Sequence, residues 1–108
     1  MITQTDPEDQ SSPMQNLLIS PDVLKKLGSK HNVTRREVEQ CFQNKCGLYL
    51  VDEREDHRSD PPTLWFVART NKNRALKVIF VYRDGNVNLR SAFEADANAQ
   101  RIYDSKAR

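Results

Sequence analysis

The strongest constraint on the fold is a two-residue turn, Asp84-Gly85, which stands between two apolar stretches. Leu76–Tyr82 precedes this turn and Val87–Phe93 follows it. An Asp-Gly pair between two such stretches is typical of a tight β-hairpin, because both turn positions need a positive φ. The sequence therefore predicts two antiparallel strands joined at residues 84 and 85.

The turn also sets the register of this hairpin and so decides which side chains share a face. The face predicted to lie in the core pairs Tyr82 with Val87, Phe80 with Leu89, Val78 with Ser91, and Leu76 with Phe93. The opposite face pairs Arg83 with Asn86, Val81 with Asn88, Ile79 with Arg90, and Lys77 with Ala92. A slip of one residue would exchange the two faces.

Two helices are predicted before the sheet. Thr34-Arg35-Arg36-Glu37 has the form of a capping box and starts the second helix, which we expect to stop at Gly47. Ser20 and Pro21 suit the start of the first helix, which we expect to end near His31-Asn32. With a short strand at Leu17–Ile19, further strands at Gly47–Val51 and Thr63–Thr70, and a last helix capped by Asp96, these signals predict an α+β fold. Its elements are a short N-terminal strand, a helical hairpin, an antiparallel meander of three to five strands and a C-terminal helix.

The length of 108 residues fits one small domain. Residues 1–15 are rich in Pro, Ser, Gln and acidic residues, lack an apolar pattern and carry a net charge of −3, so we expect a disordered tail followed by a single domain at 16–108. No stretch approaches the ~20 apolar residues of a membrane span, which predicts no membrane partner. The N-terminus lacks the pattern of a secretory signal, and a cytoplasmic location is the default expectation.

A metal or cofactor site is not predicted. The two cysteines, Cys41 and Cys46, do not form a Cys-x-x-Cys motif, and His31 and His57 are far apart in the sequence. A chain this short leaves no room for a cofactor domain beside a separate catalytic domain. We therefore expect any chemistry to be carried by side chains alone.

Charge is unevenly distributed along the chain. Residues 61–90 carry six cationic side chains against the single acid Asp84, a net charge of +5, whereas residues 52–60 carry −3. A basic sheet beside an acidic loop is a possible footprint for a polyanion such as RNA. The candidate RNA contacts are Arg69, Lys77, Arg83 and Asn88. The alternative is an ordinary solvated sheet face.

Two residues have side chains suited to acid–base chemistry on RNA. Cleavage without a metal needs a base for the 2′-hydroxyl, an acid for the leaving oxygen and cations for the phosphate. His57 lies in a polar segment among acidic residues, and Glu94 ends the last predicted strand. The alternatives are a loop histidine that responds only to local charges, and an ordinary exposed carboxylate at a strand end.

Residues 20–42, SPDVLKKLGSKHNVTRREVEQCF, resemble the opening of the BrnT-type toxins, and residues 64–93 resemble the meander that follows in them. Ser91-Ala92 matches the Ser-Ala of that family's last strand. Arg90 lies between the family's two arginine positions, which hold Asn88 and Phe93 here. Tyr82 matches a tyrosine that ends the middle strand. The resemblance covers about residues 17–104, and the segment from Phe93 to Asp96 is similar to the ending of a sister group of small domains.

The BrnT-type toxins are similar to the RelE-like ribonucleases, so the resemblance implies a RelE-like fold and a metal-independent endoribonuclease of a toxin–antitoxin system. The candidate catalytic residues are then His57, Tyr82, Arg90 and Glu94, with RNA as substrate, an antitoxin-like protein as partner and no cofactor. The alternative is a non-catalytic module on the same fold that binds RNA or protein. The oligomeric state stays open.

Overall fold

The computed structural model describes residues 14–53 and 61–107. The helices are α1 (Pro21–Lys26), continued by a π-helical turn at Leu27–His31, α2 (Arg35–Asn44) and α3 (Ala97–Ala107). The strands are β1 (Leu17–Leu18), β2 (Leu50–Val51), β3 (Thr63–Arg69), β4 (Ala75–Arg83) and β5 (Asn86–Glu94). Among the described residues, no helix is both long enough and apolar enough to cross a lipid bilayer.

The predicted α+β class is confirmed. The five strands form one mixed sheet in the order β1-β5-β4-β3-β2, in which β1 runs parallel to β5 and the other neighbours are antiparallel. The two short strands, β1 and β2, therefore occupy the two edges of the sheet.

The helix starts follow the capping signals. The hydroxyl of Thr34 accepts a hydrogen bond from the Glu37 N–H at 3.1 Å, and the Glu37 carboxylate accepts one from the Thr34 N–H at 3.1 Å, which is the predicted capping box. Ser20 caps α1 with Pro21 at its first position. Asp96 accepts a hydrogen bond from the Ala99 N–H at 2.8 Å and caps α3. The π-helical turn ends at Asn32, whose φ of 53° turns the chain toward α2.

The hairpin register is confirmed only for its half nearest the turn. Asp84 and Gly85 have φ values of 55° and 81°, as a tight hairpin turn requires, and Phe80 lies opposite Leu89 as predicted. Beyond that pair an irregularity shifts the register, so that Ile79 lies opposite Ser91 and not opposite Arg90. Arg90 is thus the extra residue of a β-bulge.

The bulge changes the core side of β5. The predicted core pairs Val78–Ser91 and Leu76–Phe93 are wrong, because Val78 lies opposite Ala92 and Leu76 lies opposite Glu94. Ala92 is fully buried. A bulge allows this because it adds one residue to one strand and so reverses the alternation of side chains beyond it.

The core lies between the sheet and the pair α1 and α2. Its largest buried side chains on that face of the sheet are Phe66, Leu76, Val78 and Phe80, against Leu27, Val38 and Cys41 from the helices. Helix α3 packs near β2 and β3, where the Tyr103 hydroxyl donates a hydrogen bond to the Leu48 carbonyl at 2.8 Å. Gly47 lies so close to Tyr103 and Ala107 that a Cβ atom there would clash with both.

The folded part begins earlier than the sequence predicts. Met14, assigned above to the tail, packs partly against the core, and its carbonyl accepts hydrogen bonds from Leu17 at 3.0 Å and Arg35 at 2.9 Å. The described domain therefore includes Met14, while residues 1–13, the rest of the predicted tail, lie outside the described residues.

Candidate functional site

Seven of the eight candidate site residues can be placed, and they fall into two groups at opposite ends of the β4–β5 hairpin. His57 lies outside the described residues. The turn-proximal group consists of Tyr82, Arg83, Asn88 and Arg90. The turn-distal group consists of Arg69, Lys77 and Glu94.

The turn-proximal group lies within the four residue rows nearest the turn and the bulge residue that follows them, about 13 Å along the strands. The side chains of Tyr82, Arg83 and Arg90 are exposed, and they form no hydrogen bond or ion pair with the described residues. Asn88 donates weak hydrogen bonds to the Val81 and Asn86 carbonyls at 3.4 and 3.5 Å. The group thus presents one aromatic ring and two guanidinium groups to solvent.

The turn-distal residues are occupied by contacts within the fold. Arg69 donates hydrogen bonds to the Asn73 carbonyl at 3.0 Å and to Gln100 at 3.4 Å. The ammonium group of Lys77 lies 4.5 Å from the centroid of the Trp65 ring, a cation–π contact. Lys77 also lies roughly 20 Å from Arg83 along β4, and Arg69, opposite Ala75, lies farther, so neither cation shares a phosphate contact with Arg83.

The structure separates two of the predicted catalytic residues. Tyr82 lies opposite Val87 and Glu94 lies opposite Leu76, so the two are six residue steps apart along β4. At about 3.3 Å per residue this separation is roughly 20 Å. A catalytic acid and base must both reach one phosphodiester by hydrogen bonds of about 3 Å. Tyr82 and Glu94 therefore do not belong to one catalytic centre in this conformation.

Glu94 belongs to an ion cluster around Arg74 that sequence reasoning missed. Arg74 Nε donates to Glu94 at 2.9 Å, and its Nη1 donates to both carboxylate oxygens of Glu37 at 3.1 Å. Arg74 also donates to the carbonyls of His31 at 3.1 Å and Asn32 at 2.8 Å. Burial alone would lower the pKa of Arg74, but its hydrogen bonds to Glu94 and Glu37 and their charges outweigh burial and raise it. This cluster joins α2 and the π-helical turn to the sheet.

A groove beside the turn-proximal group was also not predicted. It has a volume of about 660 Å³ and runs between β1, α1 and the bulge of β5. Apolar side chains line most of it, including Leu18, Ile19 and Val23, and its charged lining residues are Arg35 and Arg90. We call it the Arg90 groove.

Arg35 is fixed in this groove from two sides. Its Nε donates to Glu39 at 3.0 Å and its Nη2 donates to the Met14 carbonyl at 2.9 Å, yet 38% of the side chain stays exposed. Arg90 has no ion pair with the described residues, and Arg35 keeps part of its guanidinium exposed beside Glu39, so the groove favours an anionic ligand. A bulge in β5 forms this groove. The only sequence signal for it is a pair of successive polar residues, Arg90-Ser91, between the buried Leu89 and Ala92.

A second cleft, of about 580 Å³, lies between α3, β2 and the sheet. Trp65, Phe93 and Ile102 supply its apolar lining, and its charged lining residues are Asp52, Glu53, Glu94, Asp96, Lys77 and Lys106. Four carboxylates against two ammonium groups disfavour a phosphate here. Of the two cavities, the Arg90 groove is therefore the better site for a polyanion.

Neither cysteine contributes to the groove. Cys41 is buried, and this burial, with a smaller effect of the Glu37 charge, raises the pKa of its thiol to about 12, so it stays protonated at neutral pH. Within residues 14–53 and 61–107, no group of three or more His, Cys, Asp and Glu side chains is placed to hold a metal ion.

Comparison with known proteins adds no assignment. No protein-family model matches the chain. No curated protein matches it either. The resemblance to the BrnT-type toxins therefore stays a prediction from the sequence.

Proposed function

We propose that this protein is a non-catalytic module that binds single-stranded RNA in the Arg90 groove and along the turn-proximal end of the β4–β5 hairpin. The observation that carries the proposal is the β-bulge at Arg90. It presents an arginine in an apolar groove that Asn88 also lines, four residues along β5 from Asn86 at the exposed end of the hairpin.

Phosphate recognition is assigned to three arginines. Arg83 and Arg90 form no ion pair with described residues, and Arg35 is held in place by Glu39 and the Met14 carbonyl. A guanidinium group suits this role because its planar donors bind two phosphate oxygens at once.

The apolar and aromatic surfaces favour a single strand over a duplex. Unpaired bases stack on aromatic rings and enter apolar grooves, whereas a duplex keeps its bases stacked inside. The ring of Tyr82 is 51% exposed at the end of β4, and Leu18, Ile19 and Val23 line the groove.

The ribonuclease hypothesis has weaker support. Of its three described catalytic candidates, Tyr82 and Arg90 lie near each other, but Glu94 lies about 20 Å from Tyr82 and is held by Arg74. Endoribonuclease activity and an antitoxin-like partner therefore stay predictions from the sequence resemblance, and the non-catalytic alternative accounts better for the placement of these side chains.

Salt-dependent binding tests the proposal. Neutralisation of about three phosphates by Arg35, Arg83 and Arg90 should give a slope of log K against log salt near −2 for a single strand. The double variant Arg83→Glu/Arg90→Glu should weaken binding of a short unstructured RNA on the order of 100-fold at low salt and reduce the slope to about −0.7. Fluorescence anisotropy across a salt series measures both quantities.

A matched control carries the same charge change elsewhere. Lys72 and Arg101 are exposed, Lys72 in the β3–β4 turn and Arg101 on α3, away from the groove. Lys72→Glu/Arg101→Glu should keep the wild-type slope, with affinity reduced only by the change in net charge. Equal losses in the two double variants, or no binding of RNA by the wild-type protein at low salt, would contradict the proposal.

A further inference from the structure

The β2 edge of the described sheet has backbone N–H and C=O groups that do not bond to a neighbouring strand. Leu50 lies opposite Trp65, and the Asp52 N–H donates to the Thr63 carbonyl at 2.8 Å. In an antiparallel pair such bonds alternate, so the N–H and C=O groups of the odd-numbered residues Tyr49 and Val51 face away from β3. β2 is the last strand in the sheet order, so these four groups point outward from the described sheet.

The side chains at this edge are apolar and exposed. Tyr49 is 43% exposed and Val51 is 50% exposed, and adjacent Leu48 is exposed as well. Half of the six exposed large hydrophobic side chains among the described residues thus lie within the four residues 48–51. Edge strands are usually protected by a charge, a proline or a bulge, and residues 48–51 contain neither a charged residue nor a proline.

We propose that β2 pairs with β2 of a second copy of the chain, antiparallel and centred on Leu50. In this register the outward groups of Tyr49 meet those of Val51 in the second copy, and the reverse, so four backbone hydrogen bonds form. Each exposed Val51 then lies opposite Tyr49 of the other copy, an aromatic–β-branched pair that stabilises sheets, while the Tyr49 ring keeps its own contacts with Phe66 and Phe80 at centroid distances of 5.5 and 5.1 Å. The two five-stranded sheets become one sheet of ten strands.

The charges around β2 favour the second copy as the occupant. The segment has Lys45 at its N-terminal end and Asp52 and Glu53 at its C-terminal end. Antiparallel self-pairing places the basic end of each copy, where Lys45 ends α2, toward the acidic end of the other, which carries Asp52 and Glu53. A parallel pairing would place like charges together. The inference does not depend on RNA binding, because the Arg90 groove lies at the opposite edge of the sheet.

Sedimentation of the full chain over a concentration series tests this dimer. A short edge buries little area, so we expect a weak, concentration-dependent dimer, populated at high micromolar concentration. Val51→Lys places a charge on the edge and should raise the dimer dissociation constant about tenfold, because both Tyr49–Val51 pairs are lost. Leu24→Lys removes a similarly exposed apolar side chain from α1 and should leave the constant unchanged.

Cross-linking gives a second test that does not depend on how Val51→Lys folds. Centred pairing places Leu50 opposite itself as a non-hydrogen-bonded pair, with Cα atoms about 4.5 Å apart, within the range for a disulfide. Under mild oxidation, Leu50→Cys in a Cys46→Ser background should form a covalent dimer at least about tenfold faster than Lys72→Cys in the same background. Cross-linking at equal rates, a wild-type protein that is monomeric at about 1 mM, or equal weakening by Leu24→Lys would overturn the proposal.

Discussion

The Arg74→Ala variant is expected to lose roughly 3 kcal/mol of its free energy of unfolding. The substitution removes hydrogen bonds to Glu37, Glu94 and the carbonyls of His31 and Asn32 in one step. Hydrogen bonds to charged groups contribute more than neutral ones, and the Glu37 carboxylate and the two carbonyls lose a partner at a place only partly open to water. Urea denaturation of the variant and the wild type measures the difference.

Two further variants separate the parts of the Arg74 cluster. Glu94→Gln should cost less than about 1 kcal/mol, because the Glu94 side chain is 69% exposed and water screens its ion pair. Arg74→Lys should recover only part of the loss, because an ammonium group lacks the planar fork that reaches several acceptors. A loss below about 0.5 kcal/mol for Arg74→Ala would show that the cluster does not join α2 to the sheet.

The Phe42→Ala variant should lose about 3 kcal/mol. The Phe42 ring packs edge-on against Phe66 and Phe80, with centroid distances of 4.7 and 5.3 Å, and its ring centroid lies 6.3 Å from that of Tyr49. Truncation would open a cavity and remove these aromatic contacts together. We place the loss at the lower end for a phenylalanine because the side chain is only partly buried.

Thermal and urea denaturation of Phe42→Ala should agree on this loss. Leu24→Ala is the matched control, because Leu24 is apolar and lies on the neighbouring helix but is about half exposed, and it should change stability by less than about 0.5 kcal/mol. Similar effects for the two variants would mean that α2 is not anchored to the sheet through Phe42.

The elements that the sequence predicted correctly are those with local signals. The capping box from Thr34 to Glu37 and the Asp84-Gly85 turn each depend on residues within a few positions of one another, and both have the expected geometry. The sequence predicted a helix continuing to His31, but its last turn is π-helical and its end is set by the positive φ of Asn32.

The β-bulge at Arg90 was not predicted, because it does not depend on local sequence signals alone. Strict alternation through β5 placed Ser91 and Phe93 in the core, whereas the fold buries Ala92 and exposes Arg90. Adding one residue to the strand avoids the cost of burying the Ser91 hydroxyl and lets Ala92 fill the core position. Only the packing of β5 against β4 and the helices decides between these alternatives.

The net charge of residues 61–90 over-estimated the number of free cations on the basic face, again because it ignores contacts between residues far apart in the sequence. Arg74 is neutralised by Glu37 and Glu94, which are 37 residues before it and 20 residues after it in the sequence. Lys77 lies on Trp65 in the cleft with four carboxylates. Such long-range partners are not visible in the sequence. Fewer of the cationic side chains in residues 61–90 are therefore available to a ligand than the net charge of +5 suggests, and Arg83 and Arg90 are among those that remain exposed.

Photo-cross-linking tests the central claim, RNA binding without cleavage at the Arg90 groove, most directly. A short single-stranded RNA with a photoreactive uridine is incubated with the wild-type protein and irradiated, and the linked peptides are identified by mass spectrometry. The proposal predicts intact RNA, with links to Tyr82–Arg90 and to the groove residues from Leu17 to Val23. Cleaved RNA, or links concentrated on Trp65, Phe93 and α3 around the acidic cleft, would contradict it.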